Sequence, residues 1–486
     1  MSLRARVARL FERRGALIAA TVLSQFLLVC LILFFSGVNA THGLVTLLLS
    51  PERMVEIYGG ADAGSYLGAA LNLIANGRIT PEFEWIYNLW PPGMVWLDAL
   101  LVRFSPLPFG VSLALVTAGA WAVALSLLVY PFVARRRALL VVALVELLIL
   151  ATSPFQSWMY DEGLLYADGF AAAFLVIALA VTVARSAAGG PVRLHVRDGL
   201  LAGIALAGTV YFRASNNLVP IVFLAVGAVL LAVVLVRRVR KHPAGGLLPQ
   251  ALLVATAAAA AFVLLAPYSA LVYQKHDRIQ FVQTENLVYD HAWHRADDPD
   301  RPQWISDAGA SLGCELDEET CERFEEERDA GETPAPEELR DALIGAILAH
   351  PGEWVVHRVG VVLRQWFGDE VSSYAHIETD YESGPVGYSG SFNLNPPAGL
   401  AYLGLLVASF TIGIRLAARG RWTMLVVPLT ALALLAPFAI VHVEVRYLIP
   451  LKMIGLLAPM LVLVLRQTPI RRRRRVEVPP ESEEVV

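Results

Sequence analysis

Apolar blocks of membrane-crossing length, separated by short polar breaks, run through most of the chain. The first covers residues 15–38, and others cover 109–133, 169–184, two stretches within 199–236, then 250–273, 396–416, 421–441 and 446–466. A helix of about 17–25 apolar residues crosses a bilayer, so each block predicts a transmembrane helix. Two further pieces, 93–104 and 138–153, are short for a span, and one of them is expected to be a partial segment. Long unbroken blocks, in place of alternation, exclude a transmembrane barrel. The predicted fold class is an all-α integral membrane protein of about ten transmembrane helices, with ten to twelve as the range.

The polar breaks fall into two kinds. One kind is rich in arginine: Arg4 to Arg14 before the first block, Arg135 to Arg137, then Arg185, Arg193 and Arg197, then Arg237, Arg238, Arg240 and Lys241, then Arg415, Arg419 and Arg421, and finally 471–475. The positive-inside rule assigns these to the cytoplasm, which places both termini inside and makes the number of crossings even. The first block is too long for a signal peptide and lacks its cleavage flank, so it reads as an anchor. The other kind of break carries acids and aromatics and falls outside: 39–92, 154–168, the turn at 212–217, and the long insertion 274–395. The domain reading follows. Residues 1–273 form an N-terminal transmembrane module whose first outer loop is 39–92. Residues 274–395 form an extracytoplasmic, mainly helical domain, 396–470 the last transmembrane helices, and 471–486 a cytoplasmic tail.

Composition agrees with this class. The chain of 486 residues is 56% hydrophobic and 17% charged, with a mean hydropathy of +0.56. The net charge of −4 is uninformative as a total, and its distribution carries the information; no nucleic-acid partner is expected. Cys30 lies in the first apolar block as a filler. Cys314 and Cys321 lie in the long insertion; on one continuous helix they would stand about 10 Å apart, so a disulfide needs a turn between them. Inside the insertion, 337–350 and 354–367 predict helices, each preceded by a proline. The second places Val355, Val359, Val362, Leu363 and Trp366 on one face, as an interfacial helix does.

Candidate chemistry gathers in the outer breaks. Asp62 precedes a short amphipathic helix with Tyr66, Ala69, Ala70, Leu73 and Ile74 at helical spacing, ended by Gly77, and Pro91-Pro92 leads into the next helix. Asp62 suits a helix N-cap as well as a chemical role. Asp161, Glu162 and Asp168 lie in the second outer loop. Arg213 and Arg446 each stand at an outer block edge, and Lys452 lies six positions deeper than Arg446. An intramembrane lysine signals function or a partner such as Glu146. His291 and His294 lack a third ligand and read as polar loop residues.

The order of these motifs resembles the polyprenyl-phosphate-sugar-dependent glycosyltransferases of the GT-C fold, which include protein O-mannosyltransferases and lipid A aminoarabinose transferases. The resemblance rests on Gly60-Ala61-Asp62-Ala63-Gly64-Ser65-Tyr66, then Pro91-Pro92-Gly93, then Pro154 with Asp161 and Asp168, then Arg213, and finally Glu444-x-Arg446-Tyr447-x-x-Pro450. The family often carries Asp-Glu at the first position, where this chain has Asp62-Ala63. The resemblance implies transfer of a sugar, with inversion, from a polyprenyl-phosphate donor to a glycan, lipid or protein acceptor at the outer face of the plasma (inner) membrane. It implies Asp62 as the catalytic carboxylate. Arg213, Arg446 and Lys452 are expected on the donor phosphate, and Asp161 and Asp168 on the acceptor or a divalent cation (Mg or Mn). Tyr66, Pro91, Pro92, Glu444 and Tyr447 are the expected supports of the loops. A flippase for a lipid-linked glycan, or a non-catalytic envelope-assembly protein using 274–395 to bind a partner, is the alternative. An enzyme requires Asp62, Asp168, Arg213 and Arg446 to converge on one site.

Overall fold

The computed structural model describes residues 3–39, 43–58, 62–133, 165–241, 246–276, 285–295, 309, 311–368, 376–380, 384–389, 394–440 and 443–468. The N-terminal half contains α1 (Leu3–Asn39), three short helices α2 (Pro51–Tyr58), α3 (Asp62–Asn76) and α4 (Pro81–Leu89), then α5 (Gly93–Phe104) and α6 (Phe109–Val133). The bundle continues with α7 (Asp168–Ala188), α8 (Val192–Phe212), α9 (Leu218–Val239) and α10 (Leu247–His276). The insertion holds α11 (Glu285–Ala292), α12 (Leu312–Leu316), α13 (Glu318–Asp329), α14 (Pro336–Ala349) and α15 (Pro351–Trp366). The chain returns to the bundle through α16 (Pro396–Ala418), α17 (Val426–Leu435), α18 (Ile449–Gly455) and α19 (Ala458–Gln467). Among the described residues the one departure from helix is an antiparallel hairpin, β1 (His376–Asp380) with β2 (Gly384–Ser389).

Side-chain contacts define the two ends of the bundle. At one end Arg185 pairs with Asp198, joining α7 to α8. Arg421 donates to the Ser186 carbonyl at 2.6 Å, and Gln250 to that of Gly420 at 3.1 Å. Arg419 reaches the Thr468 carbonyl at 3.3 Å. The arginine-bearing breaks at 185–198 and 415–421 thus meet at a single end. At the opposite end Asp168 and Arg213 pair, and the residues around positions 66, 93 and 446 gather beside them.

Among the described residues, eight helical stretches are long and apolar enough to cross a membrane. The helix α8, of 21 residues, also runs between the two ends, from Asp198 in its second turn to Arg213 just past its last residue. Arg193, Arg197 and Asp198 in its first turns dilute its hydropathy, but they sit at the polar end of the bundle. Gly199 and Gly203 make its seat on α10: a Cβ at either would collide with a carbonyl oxygen, of Leu253 or of Ala257. Small residues four apart let two backbones approach closely, as packing in lipid demands.

The helix α5 is too short to cross a bilayer by itself. It has 12 residues, starts against the last turn of α8 and ends just before Phe109. Phe109 opens α6 at the end where Gly110 packs on Leu47, directly after α1. The other short piece, 138–153, lies outside the described residues.

In the insertion, Trp293 anchors a separate core with Leu312, Phe324, Leu339 and Leu343. Its indole Nε1–H donates to the Leu339 carbonyl at 2.9 Å. Cys314 and Cys321 are joined by a disulfide with a Cα–Cα distance of 4.9 Å. The turn it needs is supplied at Asp317, which ends α12 and caps α13 by accepting from the Thr320 N–H at 3.1 Å. His294 lies 3.2 Å from Asp290, which also accepts from Arg328 at 3.1 Å.

Candidate active site

The first loop is built to be rigid. Asn72 of α3 holds Thr80, the N-cap of α4, by two bonds of 3.0 Å. Gly77 takes a positive φ of 65° in between, where a side chain would strain the turn. Tyr66 is buried with its ring 5.2 Å from that of Trp90. Pro91 and Pro92 then turn the chain into α5. Gly93 is obligatory there, because a Cβ would collide with the Tyr211 carbonyl oxygen. This contact brings the first loop to the end of α8, where Arg213 stands.

Arg213 C-caps α8, and its Nη1 donates to the Asp168 carboxylate at 3.2 Å. Asp168 opens α7 and is 1% exposed. A polar staple lies in the same wall: Asn216 donates to Thr209 Oγ1 at 2.9 Å, and Thr209 to the Ala171 carbonyl at 2.8 Å. Phe212 stacks on Phe170 and Phe174 with centroids 5.0 and 5.7 Å apart. The ion pair is therefore fixed by both polar and aromatic contacts.

Arg446 arrives from the turn Val445–Leu448 that leads into α18. Its Nε donates to Glu444 at 2.6 Å. The guanidinium lies 4.6 Å from the Tyr166 ring centroid and 5.3 Å from that of Tyr447. The guanidinium of Arg213 lies 4.2 Å from the same Tyr447 ring. Two cations thus share one aromatic ring, each with its own carboxylate. They oppose each other electrostatically, while Asp168, Tyr447 and Tyr66 favour the charge on Arg213. Like charges held together in a poorly solvated site are relieved by an anion placed between them.

The predicted site residues divide as follows. Asp168, Arg213, Arg446, Glu444, Tyr447 and Tyr66 converge. Pro91 and Pro92 are buried at the junction that brings the loop to them. Asp62 is described by its backbone, as the first residue of α3, one helical turn before Tyr66. Asp161, with Glu162 and Pro154, lies outside the described residues. Lys452, on α18, is 1% exposed, with its ammonium 5.5 Å from the Trp366 ring. Among the described residues no group of three His, Cys, Asp or Glu side chains forms a metal site, and Asp168 gives its carboxylate to Arg213.

Three residues join the picture that the sequence reading did not single out as site residues. Tyr166 faces Arg446, and the aromatic richness of its loop was the available signal. Trp366 covers Lys452, although helical spacing put it with the apolar face of α15. Asp98 is 0% exposed, and neither carboxylate oxygen accepts a hydrogen bond among the described residues. An acid inside the apolar piece 93–104 was its signal.

No family model matches the chain, and no curated protein matches it. Among solved structures, the archaeal oligosaccharyltransferase AglB from Archaeoglobus fulgidus, in complex with an inhibitory peptide and a dolichol-phosphate, is similar at 14% identity and a TM-score of 0.45. The match covers 96% of this chain and 53% of that one, so the chain spans about half of that protein's length.

Proposed function

We propose that the chain is an integral-membrane glycosyltransferase that moves a sugar from a polyprenyl-phosphate donor to a hydroxyl on a glycan, lipid or protein of the cell envelope. The observation that carries this reading is the pair of guanidiniums, Arg213 and Arg446, on the Tyr447 ring at one rim of a bundle of membrane-crossing helices. Two fixed, planar cations suit a phosphate, because each presents its donors in a rigid fork. The arginine-rich end is cytoplasmic by the positive-inside rule, so this rim faces out. The Cys314–Cys321 disulfide, in the domain on the same rim, suits an oxidising compartment.

In the proposed reaction the acceptor oxygen attacks the anomeric carbon from the side opposite the phosphate, which inverts its configuration. Asp62 takes the hydroxyl proton as general base. The bond from the anomeric carbon to the phosphate oxygen breaks, and its electron pair leaves with the phosphate. The phosphate gains one negative charge, and the guanidiniums of Arg213 and Arg446 stabilise it. Asp168 and Glu444 act as positioning residues for the two arginines. Asp161 and the rim around Asp168 orient the acceptor.

Full-length protein in proteoliposomes, offered a panel of polyprenyl-phosphate sugars labelled in the sugar, tests the reading with and without chelator. Label passing to an acceptor from at least one of them is the expected result. Transfer from nucleotide sugars alone would refute the donor class. Movement of a lipid-linked glycan across the bilayer without bond cleavage would favour the flippase instead.

A further inference from the structure

The helix α15 is inside out for an element in water. An amphipathic helix on a soluble domain buries its apolar stripe and exposes its charges. Here the buried side carries Arg358, Gln365 and Trp366, while Val355, Val356, Val359 and Leu363 are exposed, Val356 to 74%, with the charged residues Glu353 and Arg364 exposed toward the two ends of the helix. The polar side is held by the protein: His357 pairs with Glu315 of α12 at 2.8 Å, and Arg358 donates to the Ile440 carbonyl at 3.3 Å. The exposed stripe continues onto α14 through Ile344 and Leu348.

The position of the helix says what covers that stripe. Trp354, near its start, donates to the Ala439 carbonyl at 2.8 Å, at the end of the crossing Trp422–Ala439. Trp366, at its last residue, donates to the Gly399 carbonyl at 2.8 Å, in the first turn of the crossing Pro396–Ala418. Both ends of α15 are therefore tied to the same rim of the bundle, where a tryptophan belt belongs. Next to Gly399, Leu400 is exposed on the side of α16 that faces outward, so the stripe joins the lipid-facing surface of a span.

We infer that α15 lies in the outer leaflet, with Val355, Val356, Val359 and Leu363 seated at the boundary of headgroups and acyl chains. Its occupant is the bilayer, and the seat does not depend on what the chain transfers. An amphipathic helix with this orientation sinks about 5–10 Å into the boundary region. Because Trp366 also covers Lys452, the bilayer fixes one wall of the neighbouring cation site.

Site-directed quenching tests this on full-length protein carrying Cys30→Ala, which leaves the disulfide cysteines as the native ones. Val356→Cys and, separately, Val359→Cys are labelled with a small fluorophore and reconstituted in phosphatidylethanolamine–phosphatidylglycerol vesicles. Some vesicles also carry a lipid with a doxyl group near the carboxyl end of its chain. A Glu326→Cys label on α13 is the water-exposed control. The doxyl lipid should remove most of the emission at both valine positions and little at the control. Quenching at 356 and 359 by aqueous iodide alone would overturn the proposal. So would protection from both quenchers, since protein would then cover the stripe.

Discussion

At the scale of single residues, the guanidinium of Arg213 does two separable things. It neutralises Asp168, which is buried, and it lies over Tyr447. Removing the charge would take from the buried Asp168 carboxylate the cation it pairs with, at a cost of about 3–5 kcal/mol. Arg213→Lys keeps the charge and loses the planar fork. It should fold, and its kcat/KM for the donor should fall by about 100- to 1,000-fold, the size of one transition-state donor. Unchanged donor kinetics would show that Arg213 serves Asp168 alone. Asp98 is a different case. A buried carboxyl without a hydrogen-bond partner opposes folding by about 1–3 kcal/mol. Asp98→Leu, which keeps the four-atom branched shape while replacing the carboxylate oxygens by larger methyl groups, should raise the thermal midpoint of the detergent-solubilised protein; a lower midpoint would mean the carboxyl holds the fold together. Arg213 and Arg446 were legible in sequence as arginines at block edges. That they meet on one tyrosine was not, because such a meeting depends on how distant helices pack.

At the scale of elements, periodicity located the helices well and their environments less well. Both prolines before 337–350 and 354–367 open helices in the structure. The apolar spacing of α15 was visible, but it could not show that Trp366 and Val362 turn inward while Val356 faces out. The break at Asp317 was also hidden, because the acidic run around it has good helix formers on both sides, and it decides whether Cys314 can reach Cys321. The Trp293 core makes its own prediction about pH. Burial alone would raise the Asp290 carboxyl, yet His294 and Arg328 beside it hold it down at about 2. A folded-state value below the unfolded value near 3.9 means that the contribution is complete above about pH 4 and disappears as pH falls toward 2. Limited proteolysis of this domain should accelerate across that window. Asp290→Asn should be cleaved faster at pH 7 and show less change on acidification; an unchanged acid profile would place the linkage elsewhere.

At the scale of the molecule, two ends with opposite character organise everything else. One gathers the arginine-rich breaks and the other gathers acids, aromatics and the two paired guanidiniums. This division was legible from the placement of charge, and the membrane class from the long apolar blocks. The helix α8 was legible as the first of the two apolar stretches within 199–236, with its arginine-bearing start and its polar exit at Arg213. That 93–104 packs its start against the end of α8 was not legible, because the contact of Gly93 with Tyr211 depends on how distant helices meet. The central claim is that Asp62, one turn before Tyr66 at this rim, is the base for sugar transfer. The most direct measurement compares wild type with Asp62→Asn in proteoliposomes, using the labelled polyprenyl-phosphate sugar that the wild type accepts. Insertion and donor binding should be unchanged, and the transfer rate should fall by about 100- to 10,000-fold, the range a general base supplies. A variant that transfers sugar at the wild-type rate would contradict the account.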